Sequence, residues 1–172
     1  MAQALTSHEV QQAWSTLVQD VRTAVLLTMR NGRPFGSHVP YILGKDWTRA
    51  YLHLSRLALH TQHLLADPHV SLFIAETDGP GKNPLALRRM NLQGEAVLLP
   101  ADAPSYPEIK EQYLSRFPQA EMMFGFGDFT LWELRLEDVH FVLGFGQAFI
   151  STAATPAGWM HQKVERPSAR RD

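Results

Sequence analysis

Residues 23–43 read TAVLLTMRNGRPFGSHVPYIL, two apolar, β-branched runs joined by Asn31-Gly32. An Asn-Gly pair between such runs supplies two left-handed residues, the backbone of a tight hairpin turn. The spacing predicts one strand over Thr23–Met29 and a second over PFGSHVPYIL, antiparallel neighbours. Pro40 lacks an N–H, so it belongs at a sheet edge or a bulge. More segments of the same type follow: RAYLHLS (49–55), VSLFIAE (70–76), LALRRMNLQGEAVLL (85–99) and FTLWELRLEDVHFVLGFGQAFIS (129–151). The last is long enough for two or three strands, and Gly94 marks a bulge or bend in the one before it. Six or seven antiparallel strands with few helices predict a mainly β fold, a closed barrel with flanking helices.

Helical spacing is confined to three places. Val10, Ala13, Trp14, Leu17, Val18 and Val21 follow Ser7 and predict a helix over 7–20. A second helix is read from Ser55 to Asp67-Pro68, with Leu57, Ala58, Thr61, Leu64 and Leu65 on one face. A short third runs from about Ser105 to Arg116. The whole of 1–172 reads as one domain, its core about 21–151, with a loose tail over 152–172 in which Trp159 and Met160 are odd residues to leave in water.

Sixteen Lys and Arg against 17 Asp and Glu leave no basic stripe for nucleic acid. The absence of cysteine excludes disulfides, thiolate metal sites and cysteine nucleophiles. No apolar run approaches the roughly 18 residues of a membrane span, and MAQALTSHEV lacks the regions of a signal peptide. A cytoplasmic protein without a membrane partner is expected.

The chemistry concentrates in SRLALHTQHLLADPHVSLFI, residues 55–74. A strand that ends in a serine and runs into a helix offers free N–H groups and a partial positive charge to an anion. Ser55 would cap the helix and hold a phosphate oxygen, with Arg56 and His60 beside it. An ordinary capped helix with solvated histidines is the alternative. His60 and His63 are three apart, but no Asp, Glu or Cys stands at supporting ligand spacing, so no metal is expected. His69, next to Pro68, reads as a strand-edge residue.

In their order along the chain, LLTMRNGRPFGSHVPYIL, YLHLSRLALHTQHLLADPHVSLFIAE, RRMNLQGEAVLL and FVLGFGQA resemble the pyridoxamine 5'-phosphate oxidase-like flavin-binding split barrels, and most of all their haem-utilisation branch. The resemblance covers about 21–151. It implies a six-stranded antiparallel FMN-binding split barrel, and a homodimer with the cofactor at the subunit interface. By the same resemblance Ser37 contacts the phosphate, and His38, Val39 and Pro40 lie along the flavin. His53, Leu54 and Ser55, followed by Arg56 and Leu57, wrap the ribityl phosphate, and His60 stands where relatives carry a cationic ligand. His63 stands at a position usually held by Asn and is structural or a ligand contact. Arg89 reaches the pyrimidine edge, where a cation would stabilise the reduced ring, and Gln93 on the same side is a secondary contact. Pairing of Arg89 with an acid such as Glu95 is the alternative. Arg88 is expected on the other face, in solvent.

Arg56-Leu57 replaces the Arg-Lys pair of true pyridoxamine phosphate oxidases, and ERPSARRD offers no Arg-x-His clamp, so vitamin B6 oxidation is not expected. Fuller haem-utilisation members continue into an extra C-terminal domain, whereas this chain ends at Asp172. The expected function is an FMN-dependent oxidoreductase of unknown substrate, with FMN preferred over FAD because no glycine-rich dinucleotide fingerprint is present. One alternative is a haem-binding or haem-degrading protein with VLGFGQAF near the haem edge and His161 as axial ligand. Another is a cofactor-free dimeric interaction module.

Overall fold

A computed structural model describes residues 5–152 and 158–162. In chain order its elements are α1 (Ser7–Asp20), β1 (Thr23–Arg30), β2 (Arg33–Pro40), β3 (Ile42–Leu43), β4 (Arg49–Ser55), α2 (Leu59–Ala66), β5 (His69–Ala75), β6 (Arg89–Leu99), α3 (Tyr106–Arg116), α4 (Glu121–Phe124), β7 (Phe129–Gly144), β8 (Gln147–Thr152) and β9 (Met160–His161). Asn31 and Gly32 take φ of 51° and 71°, the two left-handed residues of the predicted turn, and Arg30 pairs with Arg33 across it.

All the strand pairings are antiparallel, and the main path runs β2-β1-β5-β6-β7-β4-β3, with β8 and β9 added beyond β7. The sheet curls into a half-barrel with helices at its flanks. The two ends of that path, β2 and β3, are consecutive in the chain with only Tyr41 between them, and the mainly β fold with flanking helices is the predicted one. Pro40 ends β2 on the outermost strand of that path, where its missing N–H costs no ladder bond. The predicted second strand is divided at Tyr41, which is fully buried and donates its hydroxyl to Val21 O at 2.8 Å. At Gly94 the β6–β7 register shifts, and a Cβ there would lie 1.8 Å from Arg135 O, so the bulge requires glycine.

The larger core lies inside the curl. Val10, Trp14, Leu17 and Val18 of α1 pack with Leu26, Leu52, Leu72, Leu92, Leu134 and Phe141 of the sheet. The helix has the predicted span of 7–20, and its cap is Thr6, which a capping box joins to Glu9. Part of the expected loose tail is ordered into this core. Trp159 packs 4.9 Å from Trp14, ring centre to ring centre, and donates its Nε1 hydrogen to Gln11 Oε1 at 2.9 Å. A smaller core, with Tyr51, Leu99, Ile109, Tyr113, Phe117 and Leu131, lies under α3.

Candidate functional site

The end of β4 carries most of the predicted phosphate ligands, and the fold engages nearly all of them internally. Ser55 does not cap α2. The chain makes an extra turn after β4, Ala58 takes the cap position, and no side chain caps the helix. Ser55 donates its hydroxyl to Asp128 Oδ2 at 2.7 Å and accepts from Leu57 N at 3.1 Å. Arg56 donates its backbone N–H to Asp128 O at 2.7 Å and a guanidinium hydrogen to Gly127 O at 2.6 Å. Thr61 and Gln62 close the turn by donating to Ser55 O and Arg56 O.

Its neighbours in β4 point elsewhere. His53 is buried in the smaller core with its ring stacked 3.8 Å from Phe124, and burial pushes its imidazole down to about 4. Leu54 is buried in the larger core on the other side of the sheet. Of the expected apolar face of α2, Thr61 and Leu64 are buried, while Leu57 is 82% exposed and Leu65 64%. The short helix also buries His63, because it packs over the β1–β2 hairpin.

The histidines of α2 divide. His63 is buried, its Nδ1 3.0 Å from Thr28 Oγ1 and its ring edge-on to Phe35. That contact is structural. His60 is half-buried, and desolvation followed by the charge of His63 lowers its imidazole below the ordinary value. His69 is the expected strand-edge residue, held by Asp67 Oδ1 at 2.7 Å. Among the described residues no three His, Asp or Glu side chains converge as a metal site.

The predicted flavin-edge set of β2 does not form one surface. Strand alternation turns Ser37 and Val39 toward the core, opposite Leu26 and Ala24, and leaves His38 and Pro40 outside. On β6 alternation works as predicted: Arg89, Asn91 and Gln93 share the outer face. Arg89 donates to Leu87 O at 3.1 Å. Arg88 is not in solvent, since it pairs with Glu76 at 3.1 Å and Asp20 at 3.5 Å.

The outer face gathers residues that sequence patterns left scattered. Directly paired positions run His38, Val25, Phe73, Asn91, His140, Ile150, Met160, one straight row over β2, β1, β5, β6, β7, β8 and β9. Beside it run Ala75, Arg89, Val142 and Ala148 on one side, and Leu27, Ser71, Gln93, Asp138 and Thr152 on the other. Val25 is 36% exposed and Met160 56%, while Phe73, His140 and Ile150 are half-buried. His140 Nε2 lies 2.9 Å from Gln162 Oε1. His161 alternates to the other side of β9, opposite Phe149, whose ring it meets edge-on at 5.1 Å. The exposed Met160 was the one signal in the sequence for this face. The position of His140 beside it depends on register.

Comparison with known proteins bears on what this arrangement serves. The family model described as pyridoxamine 5'-phosphate oxidase matches residues 10–143. The chloroplastic heme oxygenase HOZ of Arabidopsis thaliana is 31% identical over 158 residues, covering 86% of this chain and 47% of its own length. The heme oxygenase HutZ of Vibrio cholerae is 29% identical over 135 residues, covering 76% of this chain and 74% of its own. The structure of a heme binding protein from Mycobacterium smegmatis superposes with a TM-score of 0.76 at 25% identity, over 91% of this chain and 62% of that one. The chain thus spans about half the length of its plant relative. The expected FMN-dependent oxidoreductase is overturned, because both curated relatives are named heme oxygenases. Among the described residues no helix is long and apolar enough to cross a membrane.

Proposed function

This chain belongs to the pyridoxamine 5'-phosphate oxidase family, and from that premise we propose that it binds haem on the outer face of its curled sheet. The observation that carries the reading is the row just described. A face that joins an imidazole, a thioether and half-exposed apolar side chains suits a flat, apolar, iron-bearing ligand. His140 and Met160 are the two iron-ligand types on it, Val25, Phe73 and Ile150 are the apolar contacts, and Arg89 is the cation for a propionate. Bound haem supplies redox-active iron, and the relatives' names make oxidative cleavage of haem the activity to test.

The chain's own contribution is positioning. Gln162, in hydrogen-bond contact with His140 Nε2, orients that ring and must release it if the nitrogen is to meet iron. Asp138 lies two residues away on the same face of β7. A second copy of the chain covers the face, since one curled sheet leaves Val25, Phe73 and Met160 partly in water.

Titration of the purified protein with hemin tests the binding. A saturable Soret band distinct from that of free hemin is expected, followed by decay of the band when reductant and oxygen are supplied. An unchanged hemin spectrum overturns the reading, and a protein that also rejects FMN would then fit the interaction module. Sedimentation should give a dimer, with a haem-loaded monomer as the contrary result.

A further inference from the structure

We propose that Asp128 is a built-in anion that occupies the anion-recognising turn at the end of β4 and so excludes phosphorylated ligands from it. The turn has the donor chemistry of a phosphate site. A hydroxyl (Ser55), a guanidinium (Arg56) and main-chain N–H groups are concentrated where a strand leaves the sheet. A phosphate binds such a turn only when those donors are free.

Here each of them has an internal partner, and the one that holds the Ser55 hydroxyl is an anionic carboxylate. Asp128 Oδ2 takes the Ser55 hydroxyl at 2.7 Å, the main-chain carbonyl of Asp128 takes Arg56 N–H at 2.7 Å, and Gly127 O takes the guanidinium at 2.6 Å. One short segment of the chain, 127–128, therefore satisfies all three donors. Asp128 immediately precedes β7, whose Phe129 pairs with Ser55, so the sheet register itself delivers the carboxylate to the turn. An incoming phosphate would compete for the same hydroxyl and meet a like charge within hydrogen-bond reach of it. Asp128 acts as a specificity-determining residue: a neutral ligand, or one whose acidic groups lie elsewhere, is unaffected.

This inference is independent of the haem reading, because it concerns a different end of the sheet. Its test uses the full chain and three probes: inorganic phosphate, FMN and riboflavin. Asp128→Asn keeps an acceptor for Ser55 and removes the charge, and Asp128→Ser serves if the first variant does not fold. Either should raise affinity for FMN and for inorganic phosphate by roughly tenfold or more, the scale of one unit-charge interaction near a surface. Riboflavin binding should not change. Adding Ser55→Ala to the variant should abolish the gain. Phosphate and FMN affinities unchanged from the parent protein overturn the proposal, as does an equal rise for riboflavin.

Discussion

The turn at the end of β4 and the outer face of the sheet both carry polar side chains of the kind that bind ligands. They differ in what those side chains already hold. At the turn and beneath it, Ser55, Arg56, His53 and His63 are tied to Asp128, Gly127, Phe124 and Thr28. On the outer face, the His140 ring is in hydrogen-bond contact with Gln162, and Arg89 donates to a carbonyl two residues away in its own chain. A donor with an internal partner contributes to stability, and binding through it requires that partner to be displaced. The comparison separates residues that hold the fold from residues available to a ligand, although the sequence gives both groups the same chemistry.

The largest effect should come from the internal group. His53→Ala removes a buried ring from its stack on Phe124 and should cost on the order of 3 kcal/mol in denaturant unfolding, as for other buried aromatic rings. Its pH signature is more specific. The folded chain protonates His53 at about 4, below the ordinary 6.5 that it regains on unfolding. The unfolded state therefore binds the extra proton between these values. The contribution of His53 is complete above about pH 6.5 and diminishes as pH falls to about 4, where it levels off. His53→Phe should flatten that segment of the stability profile. A slope that survives the substitution would place the titrating group elsewhere.

Next in size is the converse change on the outer face. His140→Ala should leave stability within about 0.5 kcal/mol yet shift the Soret band and weaken hemin binding by roughly tenfold or more. His161→Ala, across the sheet, should leave both unchanged. If His161→Ala moves the Soret band and His140→Ala does not, the outer face loses its iron ligand.

Thr28→Val should cost about 1.5 kcal/mol by leaving the buried His63 Nδ1 without its partner, with hemin affinity unaltered. A neutral result would mean that His63 finds another partner on α2. The smallest effects distinguish the adjacent arginines. Arg88→Met breaks the pairs with Glu76 and Asp20 and should lower stability by about 1 kcal/mol. Arg89→Met should change hemin affinity a few-fold and stability hardly at all. Equal behaviour of the two would remove the distinction between the faces of β6.

Local features of the chain were legible before any coordinates. The Asn31-Gly32 turn, the Gly94 bulge, the span of α1 and the alternation of Arg89 with Gln93 each depend on backbone preferences or periodicities within a few residues. So does the recognition of family, which rests on ordered short motifs. The misjudged places share one property. Ser55 reads as a helix cap because serine before a helical segment is a good cap, and nothing nearby reveals that a carboxylate 73 residues later will claim its hydroxyl. Leu57 and Leu65 read as a buried face, although an eight-residue helix laid over a hairpin covers only one narrow side.

By itself the sequence determined that the chain must build curled antiparallel sheet from tight hairpins, because turn dihedrals and side-chain alternation are properties of neighbouring residues. Tertiary structure alone decided which of its histidines and arginines remain available. His38, His140 and Met160 come into one row only through the register of seven strands, and Ser55 is withdrawn from the available set by the pairing of β4 with β7, which brings Asp128 beside it. Strand pairing acts over distances along the chain that no local pattern encodes, so availability for binding is set by which strands meet.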